Sequence, residues 1–127
     1  MNITKTPISD LLIIEPTVYR DDRGYFLESF HEDAFAQCIG NNIKFVQDNE
    51  SRSAAGVLRG LHFQNPPYAQ GKLVRVIQGS VLDIAVDIRK ESKSYGMSFS
   101  IELNLDNMLM LWIPPGFAHG FLSLEDN

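Results

Sequence analysis

Three side chains within residues 58–79 have the types and spacing for acid–base chemistry: Arg59, His62 and Lys72. An imidazole accepts a proton near neutral pH, and an ammonium stabilises negative charge growing on a nearby oxygen. Together in one pocket, the two meet the needs of proton abstraction from a carbon beside a carbonyl. The stretch reads as two β-rich runs joined by a turn region containing Pro66-Pro67 and Gln70-Gly71. If the runs pair as neighbouring strands, His62 and Lys72 converge. Each residue also has a plainer reading. An isolated histidine at a strand end is usually satisfied by a backbone carbonyl, and a lysine in register with Val74 and Val76 usually snorkels from a sheet edge. Arg59 beside His62, and a second histidine at His119 in a similar setting, favour the chemical reading. Arg59 and His62 are three apart, so they face opposite ways on a regular strand; Gly60 is expected to form a bulge that aligns them. Lys72 gains a reason to point inward from Asp83, which shares a face with Val81 and Ala85 and is expected to hold the ammonium in place.

A second constellation is Pro114-Pro115-Gly116-Phe117-Ala118-His119. Proline and glycine end one strand sharply, and the histidine starts the next strand aimed back inside. With Gly60-x-His62 and Gly79, this resembles the paired short motifs of the cupin barrels. Metal-holding cupins use a His-x-His pair, a carboxylate and a later histidine. Here Gln64 takes the second histidine position and Lys72 stands where the carboxylate is wanted, so no metal is expected. Arg20, Arg23 and Arg52 are ordinary surface residues if taken singly. They matter because an acidic protein needs a local cationic cluster to hold an anionic substrate.

The elements that must position these groups belong to a chain of 127 residues, 44% hydrophobic, with a net charge of −5. That length suits one domain over 1–127. The charge argues against nucleic acid or an anionic membrane as a partner. Cys38 is the only cysteine, which excludes an intrachain disulfide and suits a reducing cytoplasm. The apolar runs at 11–14 and 108–115 fall short of a secretory core of roughly 7–15 residues and of the ~18 residues that span a bilayer, respectively. The chain reads as soluble and cytoplasmic. One or two short edge strands are expected over 3–19, interrupted by Pro16, then a turn at 20–24 and loose alternation over 25–30. A helix is expected at 32–39, with acids Glu32 and Asp33 in its first turn, Phe35 and Ile39 on one face, Cys38 in the core and Gly40 as the stop. A short strand at 43–48 and a polar loop at 49–56 follow. Further strands are expected near 58–64, 72–77, 81–88, 97–105, 108–113 and 119–124. Many short strands, one helix and no βαβ rhythm give an all-β fold, a jelly-roll barrel of cupin type.

In combination, Gly56-Val57-Leu58-Arg59-Gly60-Leu61-His62-Phe63-Gln64, Gln70-Gly71-Lys72-Leu73-Val74, Val86-Asp87-Ile88-Arg89 and Ile113-Pro114-Pro115-Gly116-Phe117-Ala118-His119-Gly120-Phe121 resemble the dTDP-4-dehydrorhamnose 3,5-epimerases. Arg23-Gly24-Tyr25-Phe26 and Gln47-Asp48-Asn49 match as well. The resemblance implies a cofactor-free cupin that dimerises by exchanging amino-terminal strands. Its substrate is dTDP-4-dehydro-6-deoxy-glucose, epimerised at C3 and C5 on the route to dTDP-rhamnose. By the same resemblance His62 is the base, Lys72 stabilises the enolate oxygen with Asp83 close by, and Arg59 and His119 line the pocket. Arg23 meets the diphosphate, and Phe26, Glu28, Gln47 and Asn49 meet the nucleotide, with Arg23 to Glu28 serving the partner's site. The family's members continue further: the tyrosine that returns a proton and the aspartate that orients the histidine are expected beyond Asn127. On that expectation residues 1–127 lack the family's C-terminal strands and tail, bind thymidine diphosphate, turn over poorly and expose a sheet edge. The competing readings are a non-catalytic nucleotide-sugar-binding barrel, a single-position epimerase and a metal-dependent cupin oxygenase.

Overall fold

A computed structural model describes residues 1–126. Its strands are β1 (Asn2–Lys5), β2 (Leu12–Glu15), β3 (Val18–Asp21), β4 (Gly24–Leu27), β5 (Leu58–His62), β6 (Lys72–Arg75), β7 (Ser80–Asp87), β8 (Ser98–Asn104), β9 (Met110–Ile113) and β10 (Phe117–Ser123), with one helix, α1 (Glu32–Ile39). Two four-stranded sheets, ordered β1-β2-β9-β6 and β5-β10-β7-β8, form the layers, and β3-β4 is a separate two-stranded ribbon. All pairings are antiparallel. The fold is the expected all-β jelly roll with one short helix.

Alternation fills the space between the layers. On β7, Val81, Asp83, Ala85 and Asp87 are buried while Leu82, Ile84 and Val86 are half-buried, which is the two-residue period of a strand with one face inward. Val81 and Ala85 join Leu103, Leu111, Ile113, Phe117, Ile8 and Leu11 in the main core. β9 is buried along its whole length, because its opposite face packs elsewhere. Met110 and Trp112 meet Ile14 and Phe35 in a second cluster, where Phe35 and Trp112 stand edge to face at 5.2 Å. This cluster docks α1. The helix runs over its expected span, closed by Gly40, whose N–H bonds the Ala36 carbonyl.

Four expectations need correction. The region 43–48 is not a strand; Ile43 and Phe45 pack on the Trp112 cluster instead, which satisfies their apolar surface without a ladder. Cys38 is exposed rather than in the core, because the short helix buries chiefly Phe35. The amino-terminal region forms three strands, not one or two, with β3 running to Asp21 and a turn of only Asp22 and Arg23 before β4. Most important, β5 and β6 do not pair. β5 lies beside β10 and β6 beside β9, in different sheets. The linking segment contains Pro66 and Pro67, which lack the N–H a continuing ladder needs, so the chain leaves one layer and joins the other.

Candidate active site

β10 is the spine of the site. In its ladder with β7, Phe117 stands opposite Asp87, His119 opposite Ala85 and Phe121 opposite Asp83. Directly opposed residues share a face, so all three β10 side chains point between the sheets, with the buried row of β7. His119 Nε2 meets Asp83 Oδ1 at 2.8 Å, and both residues are buried. Burial raises the Asp83 carboxyl above its ordinary value, against the hydrogen bond and charge of His119 and the charge of Lys72. The sequence-based pairing of Asp83 with Lys72 is thus corrected in its contact: Asp83 bonds His119, and Lys72 acts on it through charge alone. The reason is topological, since β6 belongs to the other sheet. Asp83 Oδ2 is buried without a hydrogen-bond partner among the described residues.

On the other side of β10, His119 is opposite His62 and Phe121 is opposite Arg59. Three steps on β5 therefore match two on β10, which is the expected bulge. Gly60 makes it possible: its φ is +109°, and a Cβ there would lie 2.7 Å from the Gly120 Cα and the His119 carbonyl. Arg59 and His62 consequently face the same way. Arg59 donates from Nε to Ser53 Oγ at 2.9 Å and from Nη2 to the Arg52 carbonyl at 3.1 Å.

His62 and Lys72 line one cavity of about 350 Å3, together with Phe63, Gln64, Gln70, Gly116 and Phe117. They reach it from opposite sheets rather than from adjoining strands. An imidazole on one wall and an ammonium on another can act on two ends of a molecule held between them. The glutamines and Phe117 were not singled out from sequence as pocket residues. For Phe117 the signal was its place in the motif between Gly116 and His119.

The remaining candidates lie elsewhere. Arg23 sits in the β3-β4 turn, its Nη2 2.6 Å from Asp21 Oδ2, both exposed. Phe26 and Glu28 line a second cavity of about 340 Å3 with Tyr19, Phe30, His31 and Leu73, against the outer side of β6 and β9. Gln47 and Asn49 are exposed and bond each other at 3.0 Å. Among the described residues no three His, Cys, Asp or Glu side chains converge as a metal set.

Comparison with known proteins decides the family. The model of the family dTDP-4-dehydrorhamnose 3,5-epimerase matches residues 5–127. The chain belongs to the dTDP-4-dehydrorhamnose 3,5-epimerase family. A member from Shigella flexneri is 55% identical over 126 residues, covering 99% of this chain and 70% of the relative. Among solved structures, the epimerase from Elizabethkingia anophelis NUHP1 superposes with a TM-score of 0.93 at 49% identity, over 99% of this chain and 69% of the other. The dTDP-6-deoxy-D-glucose-3,5-epimerase of Legionella pneumophila Philadelphia 1, in complex with dTDP-4-keto-L-rhamnose, gives 0.94 at 50% identity, over 98% and 66%. This chain therefore spans about two thirds of each epimerase structure.

Proposed function

We propose that this chain is a dTDP-4-dehydrorhamnose 3,5-epimerase acting on dTDP-4-dehydro-6-deoxy-glucose in dTDP-rhamnose biosynthesis, without metal or organic cofactor. The observation that carries the reading is the single cavity lined by His62 and Lys72, in a chain of this family. The protons on C3 and C5 flank the C4 ketone. His62 removes one of them, the C–H electron pair forms the enolate C=C bond, and the carbonyl π pair moves onto O4. Lys72 donates to that oxygen. A proton drawn from solvent on the opposite face of the carbon restores the ketone and inverts the centre, while the proton held by His62 passes to solvent. A positioned base contributes roughly 10²–10⁴-fold, and a cation at the oxyanion a further 10²–10³-fold or so. Neither alone suffices.

His119, fixed by Asp83, and Arg59, fixed by the 52–53 loop, flank the base and shape the sugar end. The nucleotide end falls to Arg23, Phe26, Glu28, Gln47 and Asn49. The exposed ribbon that carries Arg23 and Phe26 lies apart from the His62 cavity, which favours its use in the site of a second subunit of a homodimer built by exchange of amino-terminal strands. We further infer one jelly-roll domain over 1–127 and a cytoplasmic setting; no described helix is long and apolar enough to cross a membrane. Proton NMR of the 4-keto sugar nucleotide in heavy water tests the function directly. Deuterium at both C3 and C5 is the expected result. Deuterium at one carbon would reduce the assignment to a single-position epimerase, and binding without any deuterium would favour a non-catalytic barrel.

A further inference from the structure

Behind the cavity lies a charged cluster to which the proton chemistry assigns no step. Asp87, fully buried at the end of β7, accepts hydrogen bonds from Arg89 Nε at 3.0 Å, from Arg89 Nη2 at 3.0 Å and from Ser92 Oγ at 2.6 Å. Arg89 also donates to Asp10 Oδ2 at 2.8 Å and to the Ser9 carbonyl at 3.0 Å. All three nitrogens of its guanidinium are therefore engaged. That plane lies over the Phe117 ring, with Cζ 4.8 Å from the centroid. Phe117 is a wall of the cavity that His62 and Lys72 share. Gly116, at φ +93°, lets the Arg89 stem lie against the turn: a Cβ there would come within 2.5 Å of Arg89 Cγ.

We propose that Arg89 is a positioning residue for the epimerisation, fixing Phe117 as the apolar wall that sets how the sugar ring is seated. The proposal rests on the epimerase reading. One imidazole must reach two carbons on either side of C4, so the relative rates at C3 and C5 depend on the seat of the ring. A wall held from behind by a planar cation bonded through all three of its nitrogens offers one seat. A wall free to turn offers several. Lysine would keep the charge but lose both the fork to Asp87 and the stacking surface.

The test uses the full chain, Arg89→Gln and Arg89→Lys, with Phe117→Leu as a variant that leaves the Asp87–Arg89 pair intact. Two quantities are measured: the NMR signals of ring-labelled Phe117, assigned by their loss in Phe117→Leu, and the C3-to-C5 ratio of deuterium uptake. In Arg89→Gln the ring signals should shift or broaden and the ratio should change at least threefold, with thymidine diphosphate affinity within twofold. Arg89→Lys should fall between, and Phe117→Leu should move the ratio in the same direction. If Arg89→Gln does not fold, Arg89→Lys and Phe117→Leu carry the test. Unchanged ring signals and an unchanged ratio, alongside a lower Tm, would reduce Arg89 to a structural residue. Absence of deuterium at both carbons in the unsubstituted chain would count against the epimerase reading alone, and the ring signals would then decide the Arg89 claim.

Discussion

At the scale of single residues, the candidate site sets an exposed histidine, the proposed base, beside a buried pair. His62 is exposed at the end of β5, where substrate can reach it, while His119 and Asp83 are locked together beneath. His62→Asn should lower deuterium uptake at both carbons by roughly 10²-fold or more, and Lys72→Met by about 10²–10³-fold. Thymidine diphosphate binding, followed by calorimetry, should survive both changes. Asp83 makes a separate prediction. Its carboxyl is raised by burial, so the folded state holds a proton more firmly than the unfolded chain does. Stability contributed by that proton is present at low pH and is lost as pH climbs from the unfolded value through the folded one. Asp83→Asn removes the cost of the buried charge, so its urea midpoint relative to the unsubstituted chain should rise between pH 4 and pH 7.

At the scale of elements, the β5 bulge and the β7 end are the two devices that aim the site. Gly60→Ala places a Cβ against the β10 backbone at a positive φ. It should destabilise the fold by about 1–3 kcal/mol and turn Arg59 away from His62, seen as a drop in both denaturation midpoint and deuterium uptake. The Asp87 cluster should respond to acid. Burial alone would raise the Asp87 carboxyl, but the bonds from Arg89, Ser92 and Ser94 outweigh it and hold the acid far below the usual carboxylate range. A depressed carboxyl contributes stability that is present above its unfolded value, near pH 4, and fades as pH falls toward the folded one. Asp87→Asn should therefore lower Tm at pH 7, and the loss should shrink as the pH is taken from 4 to 2.

At the scale of the whole molecule, the ribbon β3-β4 hydrogen-bonds to neither four-stranded sheet and carries exposed Tyr19, Tyr25 and Phe26. A homodimer assembled through amino-terminal strands should sediment at twice the 14.3 kDa of the chain. Deleting β1 should return the mass to that of one chain. A species of single mass before deletion would remove the exchange from the account and leave Arg23 and Phe26 without a second site to serve.

The sequence by itself determined the strands that carry the candidate site residues, the span of α1 and the two-residue period on β7 that turns Asp83 inward. Those are local matters: alternation and the stops supplied by glycine and proline act over a few residues, and the Gly60 bulge was legible because three does not match the strand period. Tertiary structure alone decided which strands lie together. Nothing in residues 58–79 says that β5 chooses β10 and β6 chooses β9, because pairing is settled by which apolar faces close around Leu111, Phe117 and Ala85. The same closure gave Asp83 to His119 instead of Lys72, packed Ile43 and Phe45 against the Trp112 cluster without a strand, and set Arg89 behind Phe117. Such contacts join residues far apart in the chain, where periodicity carries no information and only packing does.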